Sequence, residues 1–330
     1  MTPFTLRVPP AGALAAVAAL ALVSGLGACG GTGTAARPAR SATTSTAAPS
    51  TGAPGGVGPT NPCGATTSSP TTYDHVIWIW MENHTASQVI GSGDASYTTM
   101  LASRCGTAAH YASVGSPSLP NYIGATAGDN QGIGDDNGPS SHPLAVDNLF
   151  RQVRASGKTE RSYEESMLAN CQLGPGGEYA VKHNPAAYYA DAQDRAACQR
   201  DDVPLGTLAA GALRQDLDTG TLPSFSFVTP NLCSDTHDCP VSDGDQFLSQ
   251  WIPSIVRSPL YRQGRVVVIV AWDEPTPMPL VVVSPSTPTS AVELTPIDHY
   301  ALLRTTEELL GLPLLRHAAT APSMRAVFHL

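Results

Sequence analysis

An α/β fold, with a central, mostly parallel sheet and helices on both faces, is what this sequence predicts, on three observations. First, Val76-Ile77-Trp78-Ile79-Trp80-Met81 and Val266-Val267-Val268-Ile269-Val270-Ala271-Trp272 are unbroken apolar runs rich in β-branched and aromatic residues. Such runs read as strands buried on both faces. Second, both end on oxygen donors, Glu82-Asn83 and Asp273-Glu274, at the carboxyl edge where open α/β sheets bind ligands. Third, strand-like and helix-like stretches follow one another in the order an α/β sandwich needs.

The chain opens on an export signal. Arg7 supplies a thin positive region, residues 13–26 are apolar, and the stretch closes on Leu26-Gly27-Ala28-Cys29. This ending resembles the lipobox of bacterial lipoproteins, which implies cleavage before Cys29 and a lipid on its thiol. An ordinary secretory signal with a coincidental cysteine is the alternative. Residues 1–29 are therefore read as a lipoprotein signal peptide with its lipobox cysteine, leaving after cleavage a protein outside the cytoplasm, lipid-anchored to the cell membrane or secreted. Residues 30–62 hold Gly, Ser, Thr, Ala and Pro with almost no bulky side chain. They cannot bury a core, so a disordered stalk is expected, followed by one folded domain over 63–330.

Composition narrows the partners. Only 14% of the 330 residues are charged, against about 25% in an average protein. Eighteen basic and 27 acidic residues give a net charge of −9, which argues against a nucleic-acid partner. A monomer is the expected state.

Within the domain, residues 95–102 read as a short helix. In Ser116-Pro117-Ser118-Leu119-Pro120 two prolines flank a serine, which predicts a rigid turn presenting the Ser118 hydroxyl; a plain polar loop is the alternative. Residues 128–141 read as a long functional loop. Residues 147–156 read as a helix capped by Asp147 and ended by Gly157. The stretch 160–202 reads as irregular and carries Lys182-His183-Asn184-Pro185. Residues 222–228 read as a strand, followed by a loop with Asp235, His237 and Asp238. From Asp243, the positions Phe247, Leu248, Trp251, Ile252, Ile255 and Val256 have helical spacing, and Pro253 should kink or restart that helix. Residues 280–283 form another strand. Asp298-His299-Tyr300 opens a last helix that ends at Gly311.

Apart from Cys29, six cysteines remain: Cys63, Cys105, Cys171, Cys198, Cys233 and Cys239. An even number in an exported domain implies disulfides, and six cysteines allow fifteen pairings. Order along the chain favours Cys63–Cys105, Cys171–Cys198 and Cys233–Cys239. Zinc is the rival for such residues, but no CxxC pair is present.

Glu82-Asn83, the Pro-Ser-Leu-Pro-Asn-Tyr turn, Lys182-His183-Asn184-Pro185, the loop from Asp235 to Asp238, Trp272-Asp273-Glu274 and Asp298-His299-Tyr300 occur in that order. The series resembles the bacterial phosphoesterase family of secreted acid phosphatases and phospholipases C, which is similar in fold to the alkaline phosphatase superfamily. The resemblance spans about residues 73–312. It implies that Glu82, Asn83, Asp273 and Glu274 hold a divalent metal, with Asp235 a further ligand. It implies that Ser118 is both ligand and nucleophile. His183, His237 and His299 would be catalytic, around the phosphate or a second metal, with Asn137 and Asp238 as substrate-binding residues. Two departures stand out: Ser116 replaces a His common in relatives, and the stretch after Glu274 is shorter and richer in proline.

The residues support that chemistry. Clustered carboxylates repel one another without a cation, and a serine hydroxyl is a weak nucleophile until a metal favours its alkoxide. Oxygen ligands favour calcium, magnesium or manganese, and the histidines keep zinc among the choices. The reading is a metal-dependent phosphatase of phosphomonoesters. A phospholipase C acting on phospholipid head groups is one alternative, and a non-catalytic surface lipoprotein that binds ligand is another. A sulfatase would need an arginine after the serine, where this chain has Leu119-Pro120-Asn121.

Overall fold

The structure is a computed structural model that describes residues 56–330. The expected leader 1–29, its Cys29 and the stalk as far as residue 55 lie outside the described residues. From 56 the chain already packs on the domain: Val57 is half-buried against the core, and Gly58 and Asn61 exchange backbone hydrogen bonds. The packed chain thus starts a few residues ahead of Cys63.

The strands are β1 (His75–Met81), β2 (Gly106–Ala108), β3 (Tyr111–Ala112), β4 (Glu160–Glu164), β5 (Asp202–Pro204), β6 (Phe225–Thr229), β7 (Val266–Trp272), β8 (Leu280–Val283), β9 (Ala291–Glu293) and β10 (Ile297–Asp298). The helices are α1 (Ala86–Val89), α2 (Ser96–Arg104), α3 (Ser118–Ala127), α4 (Leu149–Ala155), α5 (Ala192–Asp201), α6 (Ala212–Thr219), α7 (Val241–Arg257), α8 (Pro259–Arg262), α9 (His299–Leu310) and α10 (Arg325–Phe328). Eight strands form one sheet in the order β5-β4-β6-β1-β7-β8-β2-β9. The five from β5 to β7 are parallel; β8 runs antiparallel to both of its neighbours, and β2 and β9 are parallel.

Both faces of the central strands are covered, as their continuous apolar sequences require. Every residue of β1 from Val76 to Met81, and all of β7, is buried. Trp78 and Trp80 lie on one face, where the Trp78 indole N–H donates to Thr306 of α9 at 2.9 Å and Trp80 packs on Tyr122 of α3. Met81 faces the other side, against Gly244 of α7. In register, Met81 lies opposite Trp272, so the next residues, Glu82 and Asp273, emerge side by side from the same sheet edge.

Four expectations need correction. The Pro-Ser-Leu-Pro segment is the first turn of α3 rather than a turn alone, because a proline in the first helical turn removes an N–H that has no partner there anyway. The cap of α4 is Asn148, which accepts from Arg151 N, and not Asp147. The stretch 160–202 is not irregular: it holds β4, α5 and the first residue of β5. β4 reads Glu-Arg-Ser-Tyr-Glu, and the buried Glu160 is paired with Arg154. Helix α7 runs through Pro253. A helix-interior proline costs about 3 kcal/mol, which several buried side chains of α7, at roughly 1.5–3 kcal/mol each, outweigh.

The disulfides are Cys63–Cys105, Cys171–Cys198 and Cys233–Cys239. No helix among the described residues is long and apolar enough to cross a membrane.

Candidate active site

Glu82 is the centre of the site. It is fully buried at the end of β1, and three side chains converge on its carboxylate. Ser118 Oγ donates to Oε2 at 3.1 Å, and Tyr122 Oη donates to Oε1 at 2.5 Å. His183 Nε2 lies 3.2 Å from Oε1. Ser118 and Tyr122 reach one carboxylate because they are four residues apart on α3 and so share a face.

His183 is positioned from behind. Its Nδ1–H donates to Asp235 Oδ2 at 3.1 Å, while Tyr122 stacks on the ring at 5.2 Å. With the proton on Nδ1, the Nε2 lone pair points at Glu82, and no donor lies between them. His237 is arranged alike: Nδ1–H donates to Asp238 Oδ1 at 2.6 Å, and Nε2 accepts from Lys182 Nζ at 3.2 Å. Ligand atoms of Glu82, His183 and His237 lie within 4.8 Å of one another. A carboxylate behind each imidazole is the arrangement that fixes the tautomer of a metal-binding histidine.

Asp273 sits beside Glu82 at the end of β7. Its Oδ1 accepts from Asn83 N at 3.1 Å, where Asn83 turns with a φ of 55°, and its buried Oδ2 has no hydrogen-bond partner. Burial pushes the Asp273 carboxyl up to about 7, and half-buried Glu274 adds repulsion. Burial, then Asp273 and Asp235, holds Glu82 well above the usual carboxylate range. Burial likewise lifts Asp235 to about 7 and, with the charges of Lys182 and His237, drives His183 well below its usual value.

A divalent metal fits this donor set. Asp273 Oδ2 and His183 Nε2 are buried atoms left without partners, and protonated carboxyls beside neutral imidazoles are what ligands become without a cation. Among the described residues, the two other groups with metal-like spacing contain Cys171 and Cys198, or Cys233 and Cys239; these sulfurs are spent in disulfides.

Several site assignments change. Asp235 lies behind His183 rather than in the ligand cluster: Oδ2 serves His183, and Oδ1 accepts from His237 N at 2.7 Å. His299 is buried, with both nitrogens engaged. Tyr111 Oη donates to Nδ1 at 2.6 Å, and Nε2–H donates to the Asp273 carbonyl at 2.9 Å. It braces the β7 end and has no free donor for a phosphoryl oxygen; burial lowers it to about 4. Asp238 is exposed and serves His237, and its charge opposes a phosphate. Asn137 is exposed, its backbone held by Asp135 and Tyr188.

Sequence reasoning passed over Tyr122, Asp136 and Tyr111. Tyr122 was legible as the fourth residue after Ser118. Asp136 had no signal: it reaches from the long loop to accept from Leu119 N at 3.0 Å and from Lys182 Nζ at 2.9 Å.

The fold is an α/β sandwich of the kind found in the alkaline phosphatase superfamily. A Vibrio parahaemolyticus protein of the alkaline phosphatase superfamily superposes with a TM-score of 0.51 at 12% identity, covering 81% of this chain and 74% of that one. The phosphoesterase family profile matches residues 79–278. The chain belongs to the phosphoesterase family and is a hydrolase acting on phosphoric ester bonds. It is 26% identical to a Mycobacterium tuberculosis phosphatidylinositol-3-phosphatase, over 80% of this chain and 86% of that protein. It is 23% identical to an Aspergillus fumigatus acid phosphatase over 61% of this chain, and the match spans under half, 45%, of that longer enzyme.

Proposed function

We propose that this protein is an extracytoplasmic, metal-dependent phosphatase of phosphomonoesters that works through Ser118. One observation carries the reading: the buried Ser118 Oγ heads α3 and donates to Glu82, inside a cluster of carboxyls and histidines with unpartnered atoms. Glu82, Asp273, His183 and His237 would hold the cation, with Asn83, Glu274 and Ser118 as further donors. The nitrogens add zinc or manganese to the choices, and the oxygens favour a harder ion. The cation's part, when bound, is to favour ionised Ser118 and offset phosphoryl charge.

The chain's own residues do the rest. Glu82 Oε2 accepts the Ser118 O–H and fixes the position of Oγ. Once Ser118 has lost its proton to solvent, Oγ attacks phosphorus as the bond to the ester oxygen breaks, and the leaving oxygen takes a proton from water, giving a phosphoserine and an alcohol. Water then cleaves the phosphoserine to release inorganic phosphate. Burial excludes other water, so fixed charges act at low dielectric. Location outside the cytoplasm is supported by three disulfides. The leader 1–29 with Cys29 as lipid site, and a stalk from residue 30 to where the chain packs on the domain ahead of Cys63, complete the proposal.

The test is hydrolysis of p-nitrophenyl phosphate by residues 56–330, as wild type, Ser118→Ala, and wild type with EDTA. Loss in both, with restoration by one added cation, is expected. Activity that survives Ser118→Ala removes the serine from the mechanism. The Mycobacterium relative gives reason to include phosphatidylinositol 3-phosphate. Release of diacylglycerol rather than phosphate from a phospholipid would establish the phospholipase C alternative.

A further inference from the structure

We propose that Lys182 is the cationic donor that binds a phosphoryl oxygen of the substrate, with Asp136 as the residue that aims it. The inference rests on the phosphatase reading above and adds a residue to it.

The cluster is short of positive charge. Glu82, Asp273 and Glu274 stand at the sheet edge, Asp235 and Asp238 back His183 and His237, and Asp136 pairs with Lys182. Among the described residues, Lys182 is the sole lysine or arginine hydrogen-bonded to any of the site residues. A phosphate monoester brings further negative charge, and phosphoryl transfer spreads it over three equatorial oxygens that need donors.

The geometry places the ammonium at the cluster. Lys182 Nζ is 2.9 Å from Asp136 Oδ2 and 3.2 Å from His237 Nε2. A ring nitrogen of His237 is itself within 4.8 Å of ligand atoms of Glu82 and His183. An ordinary surface ion pair would turn the lysine outward. Here the side chain is 21% exposed and its head meets an imidazole of the site. An ammonium has three N–H donors; Asp136 takes one, and the N–H facing His237 Nε2 is released when that nitrogen holds the cation, leaving two for phosphoryl oxygens.

Asp136 ties this charge to the nucleophile. Its other oxygen, Oδ1, accepts from Leu119 N at 3.0 Å, one residue after Ser118. One carboxylate therefore spans Lys182 and the first turn of α3, so Nζ and Ser118 keep a fixed relation. The lysine lies in the short helical turn Val181–His183 beside His183, which Asp235 and Tyr122 lock.

The experiment compares wild type, Lys182→Met and Lys182→Arg, each checked by thermal melting. It measures kcat/KM on p-nitrophenyl phosphate, competitive inhibition by inorganic phosphate, and metal affinity by chelator competition. In Lys182→Met, kcat/KM should fall by about 100-fold, as when one preorganised donor is removed. Phosphate inhibition should weaken in parallel, while metal affinity stays within about threefold. Lys182→Arg, which keeps charge and donors but changes their geometry, should recover most of the loss. Near-wild-type kcat/KM in Lys182→Met overturns the proposal, as does an activity loss with unchanged phosphate inhibition or with lost metal affinity. If Lys182→Met does not fold, Lys182→Gln replaces it. A wild type without turnover would sink the phosphatase reading instead; Lys182 would then be judged by calorimetric binding of inorganic phosphate to wild type and Lys182→Met. Equal affinities would overturn it.

Discussion

Tyr122 donates a 2.5 Å hydrogen bond to Glu82 Oε1 and leaves Oε2 to Ser118, so one helix face divides one carboxylate between a fixed anchor and the nucleophile. The same ring lies parallel to His183 at 5.2 Å, with 5° between the planes. It thereby sets two candidate metal ligands at once. Burial and the neighbouring carboxyls push its phenol well up, so it remains a donor throughout the working pH range.

Tyr122→Phe keeps the stack and deletes the hydrogen bond. Outer partners of metal ligands are commonly worth about 10–100-fold in metal affinity or activity, so chelator competition should show metal affinity about 10-fold weaker. Tyr189→Phe is the control. That phenol contacts Thr126 of the same helix at 2.7 Å, away from Glu82. It should lower stability and leave metal affinity alone; equal losses in both variants would make the Tyr122 effect general packing.

Gly244 backs the loop that carries Asp235 and His237. A Cβ there would stand 2.3 Å from Thr236 Cγ2 and 2.7 Å from Met81 Cε. Thr236 has little room to yield: its φ is 80°, and its hydroxyl donates to the Glu82 carbonyl at 2.8 Å. Gly244→Ala should therefore cost about 1–3 kcal/mol in denaturant unfolding and lower kcat as Asp235 shifts. Full activity with reduced stability would show that the loop moves without the site.

How much of this was legible in the sequence depended on where each partner comes from. The strand ends could be read because β1 and β7 are apolar without interruption, so Glu82 and Asp273 mark the point where burial by the sheet stops. Ser118 could be read from its prolines, although they open a helix. β4 could not, because Glu160 and Glu164 look like loop residues until Arg154 and Thr229 arrive to bond them. The role of His299 was misread for the same reason: its sequence position is visible, but Tyr111 and the Asp273 carbonyl, which occupy both nitrogens, come from distant segments. Periodicity reports burial; it does not report which buried polar groups meet.

Glu307 of α9 offers a test of pH linkage outside the site. It is buried, with Oε1 accepting from Leu315 N at 3.0 Å and Oε2 without a partner, as is Gln152 Oε1 nearby. Burial raises its carboxyl to about 8. Between the unfolded value near 4.3 and that folded value, the folded chain binds the extra proton, so this group's stabilisation is lost as pH rises. Glu307→Gln keeps an acceptor for Leu315 and offers an N–H in place of the proton. Urea unfolding should show the variant gaining on wild type from pH 5 to 8.5; a constant gap would refute the linkage.

The same sign argument at the site gives the sharpest test of metal dependence. Without a cation, burial and mutual repulsion hold Glu82 well above the usual range and Asp273 and Asp235 at about 7. The folded protein then binds more protons than the unfolded chain between about pH 4 and those raised values. Chelated protein must therefore lose stability as pH rises through that window. Metal needs ionised carboxylates and neutral imidazoles, so its binding releases protons and strengthens with pH. The gap in melting temperature between metal-loaded and EDTA-treated protein should be small at pH 5 and wide at pH 8. Ser118→Ala should retain that gap, since Glu82, Asp273 and the histidines remain, even with turnover abolished. A gap independent of pH would mean that the cation binds elsewhere. Acid activity makes a further demand, because the ligands must then shed their protons to the metal in mildly acid solution. A cation bound by nitrogen as well as oxygen meets that demand better than calcium or magnesium, so zinc or manganese should restore the EDTA-treated enzyme at pH 5 where magnesium fails.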